Sequence, residues 1–213
     1  CGFSKEFFET LYPIEKIEIL REDAKTTFTA DSVFKDALAY MVSEKKLMKE
    51  IVSKIQSKQI KTYIEPKKLK IKNSNDHVSI ELDNENLSAT VLMACDGANS
   101  KIKEYLNIKK KVKNFNQSAF VFNFEVSKNI LRNAKQYFLK DSILALLPIS
   151  TNIFSVVWSC DQHFFEKIKD KDDKNFIIEL EKIVNKDFGK ILNLSKRNSF
   201  PLSMVLNDKF FDQ

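Results

Sequence analysis

The sequence has 213 residues, enough for one large domain or two small ones. Hydrophobic residues make up 43% of it and include 18 phenylalanines, which excludes a disordered tail. With 35 basic and 29 acidic residues the formal net charge is +6. Much of this charge lies in lysine runs, which are usually solvated faces; contact with anionic lipid headgroups is the alternative, and we expect no nucleic-acid partner.

The sequence predicts neither a membrane span nor a metal site. No apolar run reaches 18 residues and no secretory or transit pattern is present, so we expect a soluble, cytoplasmic protein. Its further contacts would be peripheral, on the inner membrane face, or with other enzymes in a multi-enzyme assembly. Cys95 and Cys160 lie in apolar stretches and are predicted to be buried, reduced thiols. His77 and His163 have no partner at ligand spacing, so we expect no metal.

The N-terminal third predicts a hairpin followed by a helix. Residues 14–20 alternate as a half-buried strand, and residues 25–29 form a short second one. Residues 31–40 are predicted to be a loop or a single helical turn. From Ser43 onward, apolar residues at 47, 51, 52 and 55 predict an amphipathic helix with lysines on its outer face.

Four alternating segments follow, at residues 62–64, 68–72, 77–82 and 87–94, joined by Asn/Asp turns. They predict an antiparallel meander. Its last part, residues 89–94, is apolar on both faces and is predicted to be a strand buried inside an α/β sheet.

A polar turn comes directly after that strand. Asp96 and Gly97 favour a tight turn, and Ser100 is placed to cap a helix that carries Ile102 and Leu106. In open α/β sheets, ligands bind beyond the carboxyl ends of strands, where a helix start offers free N–H groups and a short acidic side chain accepts a hydrogen bond from a ribose hydroxyl. Asp96 stands at that position; the alternative is that it only forms the turn.

After Lys113 the sequence predicts a sheet covered by helices. Strands are expected at residues 117–126, 136–139, 142–149 and 152–160, and apolar residues between 164 and 184 supply the covering helices. The aromatic stripe in the first of these strands is more often core than ligand wall. The expected fold class is therefore α/β (α+β).

Four stretches carry a family resemblance. Residues 94–103, ACDGANSKIK, resemble the G-A-D-G-x-x-S-x-v-R motif of the FAD-dependent aromatic hydroxylases with the p-hydroxybenzoate hydroxylase fold, and within that group the ubiquinone-biosynthesis hydroxylases are the most similar. The other three, in the same order as in the family, are AYMVSEKKL at 39–47, ILALLPI at 143–149 with SVVWS at 155–159, and FPL at 200–202.

The resemblance implies a part of an FAD/NAD(P)-binding domain and a substrate domain of mainly antiparallel sheet. Residues 1–30 would be substrate-domain strands, 31–112 a remnant of the FAD-binding domain, and 113–213 the substrate domain. The implied reaction transfers one oxygen atom from O₂ to a polyprenylated phenol, with FAD as cofactor and NAD(P)H as donor.

The resemblance also implies the site residues. Asp96 would hold a ribose hydroxyl of FAD, Gly97 would allow close approach, Lys103 would offer charge near the pyrophosphate, and Glu44 would approach the ribityl chain. Lys103 replaces the family's arginine and loses its fork geometry. Glu44 has an alternative role as an ordinary acidic residue in the first turn of a helix.

The substrate side and the catalytic residues are less defined. Phe122, Phe138 and Leu146 are the candidates for the ring-binding cavity, which the resemblance places between the sheet and the flavin. No catalytic residues are assigned, because the sequence shows no Ser/His/Asp or Cys/His constellation.

Two segments of the family pattern are missing. The three glycines, at 2, 97 and 189, are too scattered for a G-x-G-x-x-G turn, and no G-D-A-A-H-like segment follows residue 202. We therefore expect an internal fragment of a longer enzyme that does not bind FAD stably by itself and is inactive alone. The alternatives are another flavoenzyme of this fold, a reductase or halogenase, and a non-catalytic domain that binds a lipid or a protein through its Phe-rich sheet.

Overall fold

The computed structural model describes residues 2–58, 60–63, 68–74, 76–184 and 188–211. The chain forms two compact units. The sheet unit comprises Cys1–Lys58 and Asn116–Leu202, and the meander unit comprises Gln59–Phe115 and Ser203–Gln213. Helix 44–57 thus falls in the sheet unit, whereas the sequence grouped it with the flavin-binding remnant; the roles of the two parts stay a prediction.

Five α-helices are described, in addition to a 3₁₀ turn at Asp31–Val33: α1 (Lys5–Glu9), α2 (Glu44–Ser57), α3 (Lys101–Tyr105), α4 (Gln162–Ile168) and α5 (Asp173–Glu181). The described strands are β1 (Tyr12–Ile14), β2 (Lys16–Arg21), β3 (Ala24–Thr29), β4 (Ala39–Met41), β5 (Leu69–Asn73), β6 (Val78–Leu82), β7 (Glu85–Ala89), β8 (Lys110–Val126), β9 (Asn133–Phe138), β10 (Ser142–Pro148), β11 (Ile153–Asp161), β12 (Ile191–Leu194) and β13 (Asn198–Asn207).

The main sheet has eight strands in the order β12-β8-β11-β10-β9-β2-β3, with β13 beside β8. Strands β8, β11, β10 and β9 in the centre of the sheet are antiparallel to their neighbours, whereas β2 runs parallel to β9. The four strands predicted after Lys113 therefore do form one sheet, and the N-terminal hairpin β2–β3 adds to its edge. The predicted fold class, a mixed α/β chain with a mainly antiparallel sheet, is confirmed.

Helices α4 and α5 cover one face of this sheet and bury an aromatic core. Alternate residues of a strand share a face, so Phe122, Phe124 and their cross-strand neighbours point together toward the helices. Phe176 of α5 packs edge-on against Phe122 at 5.3 Å between ring centroids and against Trp158 at 5.6 Å. Edge-to-face contacts at these distances are favourable for aromatic rings, and the stripe of phenylalanines is core.

The meander unit contains a three-stranded antiparallel sheet in the order β5-β6-β7. The predicted meander is confirmed in these three strands. The first predicted strand is wrong, because residues 62 and 63 have no regular structure, and Ile64 lies outside the described residues.

The predicted buried strand at residues 89–94 is also wrong. Strand β7 ends at Ala89, and residues 91–97 have no regular secondary structure. The side chains of Val91 and Met93 are 70% and 81% exposed. A buried strand needs a ladder partner and a layer on each face, and the described residues supply neither to this segment.

Helix α2 begins and ends close to the predicted positions, but none of its residues is buried. Met48 and Val52, on the apolar stripe, are 50% and 44% exposed. Within the described ranges, no helix combines the length and the apolar character needed to cross a bilayer.

Candidate functional site

The side chain of Asp96 bonds to the start of helix α3. Its Oδ2 accepts hydrogen bonds from the backbone N–H groups of Lys101 (2.9 Å) and Ile102 (3.3 Å). A hydrogen bond from the Ser100 hydroxyl is the main cause that lowers the pKa of Asp96, and the backbone N–H groups add to this effect. The carboxylate is ionised at neutral pH, and the residue is exposed.

Ser100 caps helix α3, as the sequence predicted. Its Oγ accepts a hydrogen bond from the N–H of Lys103 at 3.2 Å, and the residue is only 4% exposed. The N–H groups of Lys101, Ile102 and Lys103 therefore all have acceptors within the chain. The expectation that this helix start offers free N–H groups is wrong, because Asp96 and Ser100 already satisfy them.

Gly97 has φ +81°, a backbone conformation that favours glycine. A Cβ at this position would meet no atom within 4 Å, so the backbone here is open to approach from outside. The positive φ of the turn is by itself a sufficient reason for glycine at this position. Its role in close approach to a cofactor stays a prediction.

The other two cofactor candidates, Lys103 and Glu44, lie in different units of the chain. Lys103 is half-buried in α3, and its carbonyl accepts the N–H of Ile108 at 3.0 Å. It shares one turn-helix element with Asp96 and Gly97. Glu44 is exposed at the first position of α2, which belongs to the sheet unit. Its placement matches the alternative role as an acidic residue in a first helical turn.

Of the three substrate candidates, Phe122 and Leu146 lie on one face of the sheet and Phe138 lies on the other. Phe122 is 3% exposed and Leu146 is 0% exposed, and both point into the core beneath α5. Their burial accounts for their apolar character without a ligand and argues against a role as cavity walls. Phe138 is half-buried and pairs with Ile143 on the other face.

That other face, which we call the open face, is the surface that sequence reasoning missed. Its apolar residues alternate with those of the core: Val121, Phe138, Ile143, Ala145, Leu147 and Val157. Val157 is 37% exposed, although it lies in the middle of the sheet. Strand β10 is apolar on both faces, so its sequence does not say which set of side chains faces the helices.

A groove in the meander unit was also not predicted. It has a volume of about 970 Å³. Its apolar lining comes from residues 90–94, from Ile102, Leu106 and Ile108, and from Phe210 and Phe211. Residues 90–94 are free to line this groove because they pair with no described strand, whereas the sequence predicted that they lie inside a sheet.

The two described cysteines, Cys95 and Cys160, differ in their exposure to solvent. Cys160 is buried as predicted, and burial raises the pKa of its thiol to about 12. Cys95 is exposed, so the prediction that it is buried is wrong, for the same reason that applies to residues 89–94. Cys1 lies outside the described residues. In the described part of the chain, no group of three or more His, Cys, Asp or Glu side chains is arranged to hold a metal.

The fold is that of FAD-dependent monooxygenases and halogenases. The solved structure of a flavoprotein/dehydrogenase from Cytophaga hutchinsonii superposes with a TM-score of 0.73 at 13% identity, covering 97% of this chain and 56% of that one. At this identity the likeness shows the fold alone. No protein-family profile matches the sequence.

Curated relatives extend the likeness to sequence. The ubiquinone biosynthesis monooxygenase COQ6 of Danio rerio is 26% identical over 167 residues, which is 73% of this chain and 34% of that protein. The ubiquinone hydroxylase UbiL of Rhodospirillum rubrum is 23% identical over 177 residues, 82% of this chain and 41% of that protein. The predicted resemblance is confirmed, and the chain spans between a third and about two fifths of the length of these relatives.

Proposed function

We propose that the whole protein is an FAD-dependent monooxygenase that hydroxylates a polyprenylated phenol in ubiquinone biosynthesis, with O₂ as co-substrate and NAD(P)H as electron donor. The observation that carries the proposal is the sequence match to the two ubiquinone hydroxylases over 73% and 82% of this chain. The exposed Asp96 carboxylate beside an open Gly97 is the part of the site that this chain contributes.

The Asp96 corner fits a ribose and not a phosphate. A carboxylate has about four lone-pair positions, and the bonds from Ser100, Lys101 and Ile102 leave acceptor capacity on an exposed group. A ribose hydroxyl of FAD would donate to Asp96, and the open backbone at Gly97 would allow that approach. Lys103 would supply charge near the pyrophosphate, and Glu44 would lie near the ribityl chain.

FAD, when bound in the whole protein, supplies the oxygen-transfer chemistry. The residues of this chain have the tasks of binding, orienting and excluding water. We assign no catalytic side chain, because the oxygen transfer belongs to the cofactor and no described acid or base is placed for it.

The open face is the surface that we propose for the phenol. Phe138, Ile143 and Val157 give it apolar side chains that are not used by the core. Phe122 and Leu146 would support this face from behind rather than touch the ring. Because a polyprenyl tail is soluble in lipid, we propose that the protein works in the cytoplasm at the inner membrane face.

The rival proposals have less support. A non-catalytic domain that binds through its Phe-rich sheet needs an exposed aromatic stripe, but Phe120, Phe122 and Phe124 are each at most 3% exposed. A halogenase or reductase of the same fold would use the same Asp96 corner. These rivals are separated by their products.

The site is tested by Asp96→Ala in the full-length protein, with Ser100→Ala as the matched control. Loss of Asp96 should weaken FAD binding about tenfold or more, since a hydrogen bond to a charged group contributes about 1.5–3 kcal/mol. Loss of Ser100 removes a helix cap, which costs about 1 kcal/mol of stability, but should change FAD affinity less than about threefold. Flavin fluorescence titration gives both affinities.

Equal losses of FAD affinity in the two variants would show that Asp96 acts only through the helix, and would overturn the site. The reaction is tested separately, by mass spectrometry of a short-chain prenylated phenol incubated with NAD(P)H and ¹⁸O₂. One added ¹⁸O atom is expected. A halogenated product, or flavin reduction without ring oxidation, would replace the proposed reaction by one of its rivals.

A further inference from the structure

The open face of the sheet unit carries an amide side chain among apolar ones. Gln136 of β9 is opposite Ala145 of β10 on one side and Ile19 of β2 on the other, so it lies on the face that α4 and α5 do not cover. Its strand neighbours on that face are Ala134 and Phe138. Gln136 is half-buried, and no described residue forms a hydrogen bond with its side-chain amide. Two donors and an acceptor are thus surrounded by apolar side chains.

A small side chain lies beside this amide. Ala145 has Gln136 on one neighbouring strand and Val157 on the other, with Ile143 and Leu147 on the same face of its own strand. Because neighbouring strands are about 5 Å apart, β9 and β11 lie about 10 Å apart across Ala145. Four larger side chains around one methyl group form a shallow seat, which has apolar walls on three sides and an amide on the fourth.

The other polar side chains that strands β9, β10 and β11 place on this face are serines. The hydroxyl of Ser159 donates to the carbonyl of Ile143 at 3.4 Å, so it already has a partner. Ser155 is opposite Leu147, two strands away from Gln136. A serine hydroxyl is short and stays close to its own strand, whereas a glutamine amide extends above the sheet. Gln136 is therefore the group on these strands that can bond to an atom lying over the seat.

We propose that Gln136 binds the hydroxyl group of the phenol substrate, whose ring lies over Ala145; this inference rests on the proposed function, which supplies the phenol. The amide oxygen accepts a hydrogen bond from the hydroxyl, and the amide N–H donates to the hydroxyl oxygen. An apolar group over Gln136 would leave the amide without a partner, which costs free energy once the face is covered. The polyprenyl tail therefore lies over the apolar remainder of the face, and the hydroxyl end of the ring points toward β9.

The test compares two ligands of the full-length, FAD-loaded protein: a short-chain prenylated phenol and the same compound without its hydroxyl group. Calorimetric titration gives the dissociation constant of each. The unchanged protein should bind the phenol about fivefold more tightly than the other compound. Gln136→Met keeps the length of the side chain but removes the amide, so it should bind the two compounds equally. The matched control, Ser159→Ala, should keep the preference, because the Ser159 hydroxyl bonds to the sheet itself.

A second variant, Ala145→Leu, fills the seat and leaves the amide in place, so it should weaken the binding of both compounds about tenfold or more. Circular dichroism and the retained FAD check that each variant is folded.

Three results would overturn the role of Gln136 and leave the proposed function standing: an unchanged protein that binds both compounds equally, a Gln136→Met variant that keeps the preference, or an Ala145→Leu variant that binds as tightly as the unchanged protein. Equal loss of the preference in Gln136→Met and Ser159→Ala would also overturn it. If the unchanged protein bound neither compound, the proposed function would fail and this inference with it.

Discussion

At the scale of single residues, burial and neighbouring charges have opposite effects on the pKa of Glu18. The side chain is almost fully buried, but it lies 2.8 Å from the Lys16 ammonium, 2.6 Å from that of Lys25 and 3.7 Å from that of Lys135. The amide of Asn133 also donates to it at 2.8 Å. Burial raises the pKa of Glu18, but the hydrogen bonds and charges outweigh burial and lower it to about 2.

This pKa predicts how stability depends on pH. Because the pKa is about 2 in the folded chain and 4.5 in the unfolded one, folding favours the ionised form; the stabilisation is complete above pH 4.5 and is lost as the pH falls toward 2. Glu18→Gln should therefore lower the free energy of unfolding at neutral pH by about 3 kcal/mol. Urea unfolding at neutral pH and near pH 2 measures the difference, which should almost vanish at the lower pH.

Glu15→Gln is the control for this prediction. Glu15 pairs with Arg132, but both side chains are about half exposed, so this change should cost less than about 1 kcal/mol. If Glu18→Gln cost no more than Glu15→Gln, or if its cost were independent of pH, the lysines would not stabilise the buried carboxylate.

At the scale of secondary-structure elements, helix α5 holds the core of the sheet unit. Phe176 is 0% exposed and contacts the rings of Phe120, Phe122 and Trp158, while the guanidinium of Arg197 lies 4.4 Å from its centre. One side chain thus joins the helix to strands β8 and β11.

We predict that Phe176→Ala lowers the free energy of unfolding by about 3–5 kcal/mol, because it leaves a cavity and removes three ring contacts. Ile178→Ala on the same helix is the control: Ile178 is 44% exposed, and its loss should cost less than about 1 kcal/mol. Urea unfolding followed by the fluorescence of Trp158 measures both. Similar costs for the two variants would mean that α5 is not anchored through Phe176.

The elements that the sequence predicted correctly are those with strong local signals. An apolar run identified β10, β-branched residues identified β11, and the i, i+4 spacing identified α2. Ser100 was identified as a cap because its hydroxyl acts within four residues. Residues 89–94 were mispredicted because an apolar run resembles a buried strand whether or not a partner strand is present. Whether Phe122 or Phe138 is buried depends on which face of the sheet the helices cover. That choice is made by packing against α4 and α5, which lie far along the chain from Phe122.

The candidate site divides in the same way. The Asp96–Gly97 turn and its cap follow from local chemistry and were predictable. The capture of three N–H groups by Asp96 and Ser100 depends on side-chain rotamers that a motif does not specify. The groove depends on packing between residues about a hundred positions apart, such as Leu106 and Phe210, which both line it.

At the scale of the whole molecule, burial is unequal between the units. The sheet unit has large side chains at 0% exposure, such as Phe154 and Trp158, whereas the meander unit exposes Val91, Met93 and Phe211 by 70% or more. Apolar residues that are exposed together mark a surface that another part of the protein, a ligand or a partner can cover. Cys95 lies in this exposed segment, next to Asp96, and can therefore report on what covers it.

In the full-length protein with Cys1 changed to Ser, we predict that iodoacetamide labels Cys95 rapidly and leaves Cys160 unlabelled until urea unfolds the sheet unit, because Cys160 is buried and its pKa is about 12. Saturating FAD should slow the labelling of Cys95 several-fold, since a ribose held by Asp96 would cover the neighbouring thiol. Asp96→Ala should abolish this protection at the same FAD concentration, and peptide mass spectrometry assigns the labelled residue. Labelling of Cys95 at the same rate with and without FAD would mean that the cofactor does not bind at this corner.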